Sequence, residues 1–263
     1  MTTQPFSLWR LFGLEKHHQL LLKWMIFTGV ALFAFFVAVH YGLVGKVFES
    51  DKSYISIAIT LLYLFTSVHC MIQILFISAQ MNTTGATARQ IAGNGDAFRV
   101  AGEVVHVGNG DALKQGVLAQ HVRDLVLKAR IRTGRLDQTL LLRAFEDRLK
   151  APQEIGFFIA DLMLRLGLLG TVVGFILMLG PLAAIQNIDV SSMRQVLSAM
   201  SSGMAVALYT TLCGLIGGIL LKLQYYFLEG TTEELIAMAT EVTEVYVIPV
   251  LETMPPSETS RAA

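Results

Sequence analysis

Four stretches of this chain, residues 20–44, 54–79, 156–185 and 202–228, are long and apolar enough to be read as membrane spans. A spanning helix needs about 20 mostly apolar residues. In lipid every backbone N–H and C=O must be satisfied within the segment, which confines such stretches to helices. Composition agrees: 54% of the 263 residues are hydrophobic and only 15% are charged, outside the range of soluble domains. The first stretch exceeds the length of a secretory signal and lacks its small-residue cleavage pattern, so it counts as a span. The expected fold class is therefore all-α, a polytopic protein with four transmembrane helices and a helical cytoplasmic segment.

Basic residues set the expected orientation. Arg10, Lys16 and Lys23 precede or open the first span, and eleven more Lys and Arg lie between Arg89 and Lys150. The other connections hold only Lys46, Lys52 and Arg194. By the positive-inside rule both termini and the long central segment are cytoplasmic. The expected organisation is a cytoplasmic N-terminus (1–19), an outer hairpin (20–79), a cytoplasmic helical segment (80–155), a second hairpin (156–228) and a cytoplasmic C-terminal helix and tail (229–263).

The central segment repeats GNGDA at 93–97 and 108–112. Asn-Gly favours a turn and Asp a helix cap, so helices are expected over 96–107 and 111–131. A third is expected from near Asp137, where Leu140, Leu141, Ala144, Phe145 and Leu149 recur at helical spacing, with Pro152 kinking or interrupting it. Beyond the last span the helical pattern continues over 229–247, and Pro249, Pro255 and Pro256 are expected to end it.

The two hairpins differ in chemistry. The first is bulky and aromatic, as suits a lipid-facing layer. The second carries a stripe of Gly167, Gly170, Thr171, Gly174 and Met178 on one helix and of Gly203, Ala207, Thr211, Gly214 and Gly218 on the next. Lipid does not require such residues. Close helix packing does, and so does a polar path through the membrane. Counted from the cytoplasmic ends, Thr171 and Thr211 fall roughly 20 and 24 Å deep, at similar levels.

No carboxylate lies deep in any span. Asp161 and Arg165, one turn apart at the cytoplasmic mouth, are expected to pair with each other or with headgroups. His40 and His69 are read as packed or interfacial. Cys70 and Cys213 both fall inside spans and are read as buried packing rather than as a disulfide or metal site. With a net charge of zero and no basic stripe, a nucleic-acid partner has no support and none is expected. The central segment offers no nucleophile–base grouping, so no catalytic residues, metal or cofactor are expected and the chain is not read as an enzyme. Arg123, Arg130, Arg132, Arg135, Arg143 and Arg148 are interspersed with acids. They read as a solvated face near anionic lipid, with docking to a rotor or other cytoplasmic effector as the functional alternative.

The strings LGLLGTVVG (166–174) and ALYTTLCGL (207–215), on consecutive spans, resemble the MotA/TolQ/ExbB proton-channel family. Four spans look like the MotA branch, whereas LGLLGTVVG looks like TolQ and ExbB. The sequence departs from ExbB at Val206, where that branch carries a glutamate, and lacks the proline usual after the Gly-Leu pair, having 217–221 instead. The resemblance implies a homopentamer in a bacterial inner membrane around two copies of a single-span partner similar to MotB, TolR or ExbD, which supplies a membrane aspartate. It implies that Thr171 and Thr211 match pore threonines, that H⁺ is the transported ion (Na⁺ being left open), and that the ion motive force is converted to mechanical work. The readings weighed against this one are a membrane-anchored scaffold or sensor without ion conduction and a secondary transporter.

Overall fold

Long apolar runs with few interior breakers become long helices. In chain order the elements of this computed structural model are α1 (Trp9–His40), α2 (Leu43–Ser50), α3 (Ile55–Asn94), β1 (Phe98–Ala101), β2 (Val104–Val107), β3 (Asp111–Ala112), α4 (Val117–Ile131), α5 (Thr139–Ala183), α6 (Val190–Val242), a π turn (Thr243–Val247) and α7 (Ile248–Thr253). The structure describes residues 9–51, 53–94, 98–101, 104–108, 111–131, 135–183 and 190–253. Three helices hold stretches long and apolar enough to cross a membrane, within Ile55–Gly93, Thr139–Gly180 and Met193–Thr253. The described apolar part of α1, Trp24–His40, is shorter.

The chain divides into two compact units. The apolar unit comprises Lys23–Ile72 and Gln153–Phe227. Its α5 and α6 zip together antiparallel: Gly174 meets Gly203 and Ala207, Gly170 meets Thr210, and Gly167 meets Thr211 and Gly214. α3 runs along α6 in the same direction. Ile59 lies near Gly217, Gln224 Nε2 donates to Tyr63 Oη at 3.4 Å, and Tyr225 Oη donates to the Thr66 carbonyl at 3.4 Å. The Tyr225 hydroxyl also lies 2.8 Å from His69 Nδ1, which ties the half-buried histidine of α3 to a fully buried tyrosine. Phe27 of α1 meets Phe227 edge-on, with ring centroids 5.9 Å apart. The first-hairpin residues Phe33, Phe35, Phe36 and Phe65 are exposed. Gly42 makes the turn after α1 with a φ of +67°, in the left-handed region that favours glycine.

The second unit, Met1–Leu22, Gln73–Pro152 and Leu228–Ala263, departs from the sequence reading in several places. The described residues of 96–107 form no helix but two strands. β1, β2 and β3 make a three-stranded antiparallel sheet, with Phe98 opposite Val107 and His106 opposite Ala112. Alternation of the buried Phe98, Val105 and Val107, in a segment of four valines, favours a strand over a helix. Asp111 lies in β3 rather than at a helix start; α4 begins at Val117, where Gln80 Oε1 accepts the Val117 N–H at 3.0 Å. Asp96 lies outside the described residues. Gly108, which opens the second repeat, has a φ of +56°; the Asn-Gly pair after it lies outside the described residues.

α5 begins where expected, with Asp137 accepting the Thr139 N–H at 2.8 Å. It runs through Pro152 without interruption; the lost bond falls at the carbonyl of Arg148, an exposed residue. Pro249 does not end the last helix either. The π turn over Thr243–Val247 precedes it, and the Ile248 N–H reaches the Thr243 carbonyl, so the helix absorbs a residue without an N–H. The turn also holds Glu244, whose carboxylate accepts from Gln138 Nε2 at 2.7 Å.

Two outcomes follow from buried groups. A Cβ added to Gly156 would lie 2.1 Å from Tyr225 Cζ, and the bonded Tyr225 cannot retreat. Gly156→Ala should therefore destabilise the protein by about 1–3 kcal/mol, whereas Gly29→Ala, with nothing within 4 Å, should be neutral or mildly stabilising; unfolding in detergent micelles checks both.

His121 of α4 is 3% exposed and packs against Phe145, with ring centroids 5.0 Å apart and the rings tilted by 39°. Burial pushes its pKa below the ordinary 6.5, against weaker upward pulls from Gln138 and Asp124. The unfolded chain then binds more protons than the folded one. Stability should be fully present above about pH 6.5 and fall as pH drops through the depressed folded value. Hydrogen exchange of α4 between pH 7.5 and 5.5 should show this loss, and His121→Leu should flatten it.

Candidate functional site

The chemistry-bearing stretch of the apolar unit is the α5–α6 hairpin. Between Asp161 and Gly180 on α5, and between Arg194 and Lys222 on α6, the sequence contains no carboxylate. Away from Arg165 and Gln195 near their ends, hydroxyls, one thiol and backbone carbonyls are the polar groups available there.

The glycine stripes predicted from sequence face one another. Gly167, Gly170, Gly174, Gly203, Gly214 and Gly218 are all buried, and Ala207 is half-buried. A Cβ at Gly203 would lie 2.6 Å from the Gly174 carbonyl oxygen and 2.6 Å from Met178 N. At Gly174 it would lie 2.6 Å from Ala207 N, and at Gly214 2.7 Å from the Met163 carbonyl. Backbone atoms cannot step aside, so only glycine permits these contacts.

The two threonines sit at the margin of this seam. Thr171, half-buried, donates its hydroxyl to the Leu168 carbonyl at 2.6 Å. Thr211, also half-buried, lies 3.1 Å from the Gly167 carbonyl oxygen and 3.0 Å from that of Ala207. In an α-helix the Gly167 carbonyl is the acceptor of the Thr171 N–H. The Thr211 hydroxyl therefore touches the very peptide that holds Thr171, which puts the two residues at one level of the hairpin. Both hydroxyl protons are committed to carbonyls of this chain, leaving the oxygens as acceptors.

Asp161 does not pair with Arg165. Its carboxylate lies 2.6 Å from Lys222 Nζ of α6, and the exposed Arg165 acts on it only at longer range. The reason is again the seam. A Cβ at Gly218 would come within 3.1 Å of the Ala160 carbonyl, so the helices are close enough there for Lys222, one turn further, to reach Asp161.

Sequence reasoning missed Thr210. It is fully buried, its hydroxyl donates to the Val206 carbonyl at 2.9 Å, and it fills the space that Gly170 leaves, where a Cβ would lie 2.1 Å from Thr210 Oγ1. The Thr210–Thr211 doublet was the available signal: positions 203, 207, 210 and 214 keep helical spacing as well as those chosen. Val206 is fully buried too. Cys70 is a buried free thiol and Cys213 a half-buried one; no group of metal-ligating side chains occurs among the described residues.

Gly203→Ala and Gly174→Ala should each lower the stability of the hairpin by about 1–3 kcal/mol, because helix backbones must separate, while Gly180→Ala, with nothing within 4 Å, should not. Thermal unfolding of the detergent-solubilised protein distinguishes them.

Residues 111–241, which include the whole seam, match the MotA/TolQ/ExbB proton channel family. No curated protein and no solved structure matches the chain.

Proposed function

Given that the chain belongs to the MotA/TolQ/ExbB proton channel family, we propose that it is the ion-conducting stator subunit of an energy-transducing complex. In this reading α1 supplies a fourth span, both termini and the segment 80–155 are cytoplasmic, and the membrane is a bacterial inner membrane. Five copies surround two copies of a single-span protein similar to MotB, TolR or ExbD. The observation that carries the reading is the hairpin itself. It sets Thr171 and Thr211 at one level of a stretch without any carboxylate, so the titrating acid comes from the partner.

A carboxylate near mid-membrane costs about 2.5–3.5 kcal/mol or more when charged. The Thr171 and Thr211 oxygens are acceptors in the resting hairpin, so they favour the protonated acid. To meet the carboxylate, each hydroxyl must turn away from its carbonyl and donate to the acid instead. Protonation from outside and release to the inside then alternate between two hydrogen-bonding patterns. Each proton crossing contributes about 2.3 kcal/mol per 100 mV. Five subunits around two partner helices cannot satisfy both equally, so each event drives a step, and rotation is the form of mechanical work expected. The buried Val206 fits this division of labour, since the position is apolar and cannot hold a charge of its own.

Replacing Thr171 and Thr211 together by Val should cut proton flux of the reconstituted complex at least about tenfold, the loss expected for roughly 1.4 kcal/mol or more of hydrogen bonding to a charged group. The mass of the assembly should be unchanged. Wild-type flux in the double variant would overturn the reading.

A further inference from the structure

The buried imidazole of His121 stands behind a contact between the far ends of the two hairpin helices. Gln138 directly precedes α5, and Glu244 follows the end of α6 by two residues, inside the π turn. The Gln138 side chain is 3% exposed, and its amide donates to the Glu244 carboxylate at 2.7 Å. Nearby, Glu252 of α7 accepts the Leu136 N–H at 3.3 Å and lies 3.9 Å from Arg135 Nε. Within the second unit, residues 135–138 thus clip the start of α5 to the C-terminal helix.

His121 covers this clip. Its ring packs against Phe145 of α5, and it also meets the Gln138 side chain. The Gln138 amide is therefore shared between an imidazole and a carboxylate. A neutral ring suits such a place. An imidazolium carries a charge and an N–H on each nitrogen, and Phe145 can satisfy neither. The charged group that acts on the ring is Asp124 of its own helix, and its upward pull is weaker than the burial. β1, β2 and α7 also pack against α4. Among the described residues, His106 of β2, Glu146 and Arg148 of α5 and Glu252 of α7 do not act on the ring.

We propose that His121 is a pH-operated latch: when it takes a proton, α4 lifts from Phe145, water reaches Gln138, and the clip to Glu244 opens. Burial disfavours the charged ring, so the equilibrium moves toward the open form as pH falls below the ordinary 6.5. The consequence for transport rests on the channel reading above. In that reading this unit is cytoplasmic, and acidification is what an inward proton flux produces. The latch then loosens the cytoplasmic ends of the very helices that carry Thr171 and Thr211, and acts as a brake on further flux.

The test has two arms. In the first, hydrogen exchange of the full-length chain in lipid nanodiscs is followed at pH 7.5 and 5.5, corrected for the intrinsic pH dependence of exchange. Uptake of about half a proton over one pH unit changes an opening equilibrium about threefold. Wild-type exchange at 117–131, 139–149 and 243–253 should rise by about that factor or more at pH 5.5. His121→Leu, which keeps an apolar side chain against Phe145, should abolish the rise. Glu244→Ala removes the acceptor of the clip at an exposed position. It should show at pH 7.5 the exchange at 139–149 and 243–253 that the wild type reaches only at pH 5.5, and it decides the matter if His121→Leu does not fold. In the second arm the chain is co-reconstituted with its single-span partner in vesicles, and flux is driven by a fixed potential at equal pH on both faces. Comparing His121→Leu with wild type cancels the effect of pH on the partner's acid. The ratio of variant to wild-type flux should rise about threefold between pH 7.5 and 5.5. Exchange that rises equally in wild type and His121→Leu overturns the latch, and a constant flux ratio overturns its hold on transport. Wild-type vesicles without flux at either pH overturn the channel reading instead, and the exchange arm still decides on the latch.

Discussion

Backbone-to-backbone contact between α5 and α6 is the constraint on which the apolar unit depends. Within lipid, two helices gain nothing from hiding apolar surface from water, so their association rests on dispersion and on weak polar contacts that grow as the axes approach. Gly174 against Gly203, and Gly214 against the Met163 carbonyl, allow that approach at opposite ends of the seam. Everything polar in the hairpin follows from it. Thr211 reaches a carbonyl of the neighbouring helix only because Gly167 has no side chain in the way. Lys222 reaches Asp161 only because Gly218 lets α6 ride over Ala160. The small residues thus act indirectly, by fixing where two hydroxyls and one ion pair lie.

The same contacts fix the depth of the first hairpin. α3 lies along α6 from Cys213 onward, as the positions of Ser56, Ile59, Thr66 and His69 show. From Gly203 to Leu212, α6 has α5 as its neighbour, and Leu197, Met204, Leu208 and Leu212 are exposed. Apolar side chains on that scale belong against lipid or against other helices. The ring of subunits proposed above would supply such cover.

The long helices were legible because hydropathy and length carry the signal. Local chemistry in the second unit was not. GNGDA reads as a turn followed by a cap, and Gly108 has a positive φ, but the valines beyond the first repeat outweigh a lone Asp once a second strand is there to pair with. Pro152 and Pro249 mark helix ends in isolation, yet each is tolerated here: the first beside an exposed turn, the second after a π turn. At the site, the glycine stripes could be read from spacing alone. The partner of Asp161 could not, since Arg165 is the neighbour in sequence and Lys222 the neighbour in space.

The distribution of charge decides what this chain can do by itself. A hydroxyl can pass a hydrogen bond but, at physiological pH, does not carry a net proton; that requires a group titrating between the two sides. The hairpin has none along the seam: Val206 is apolar, Thr210 is spent on Val206 and on filling Gly170's space, and Thr171 and Thr211 hold their protons on carbonyls. Such a surface is suited to being neutral toward an acid that arrives from elsewhere, attractive enough to hold it and weak enough to let it move on. Fixed carboxylates on the seam would bind a passing cation too tightly and would repel an ionised partner. Asp161, held against Lys222, stands at one edge of the seam and leaves the stretch beyond it without a fixed carboxylate.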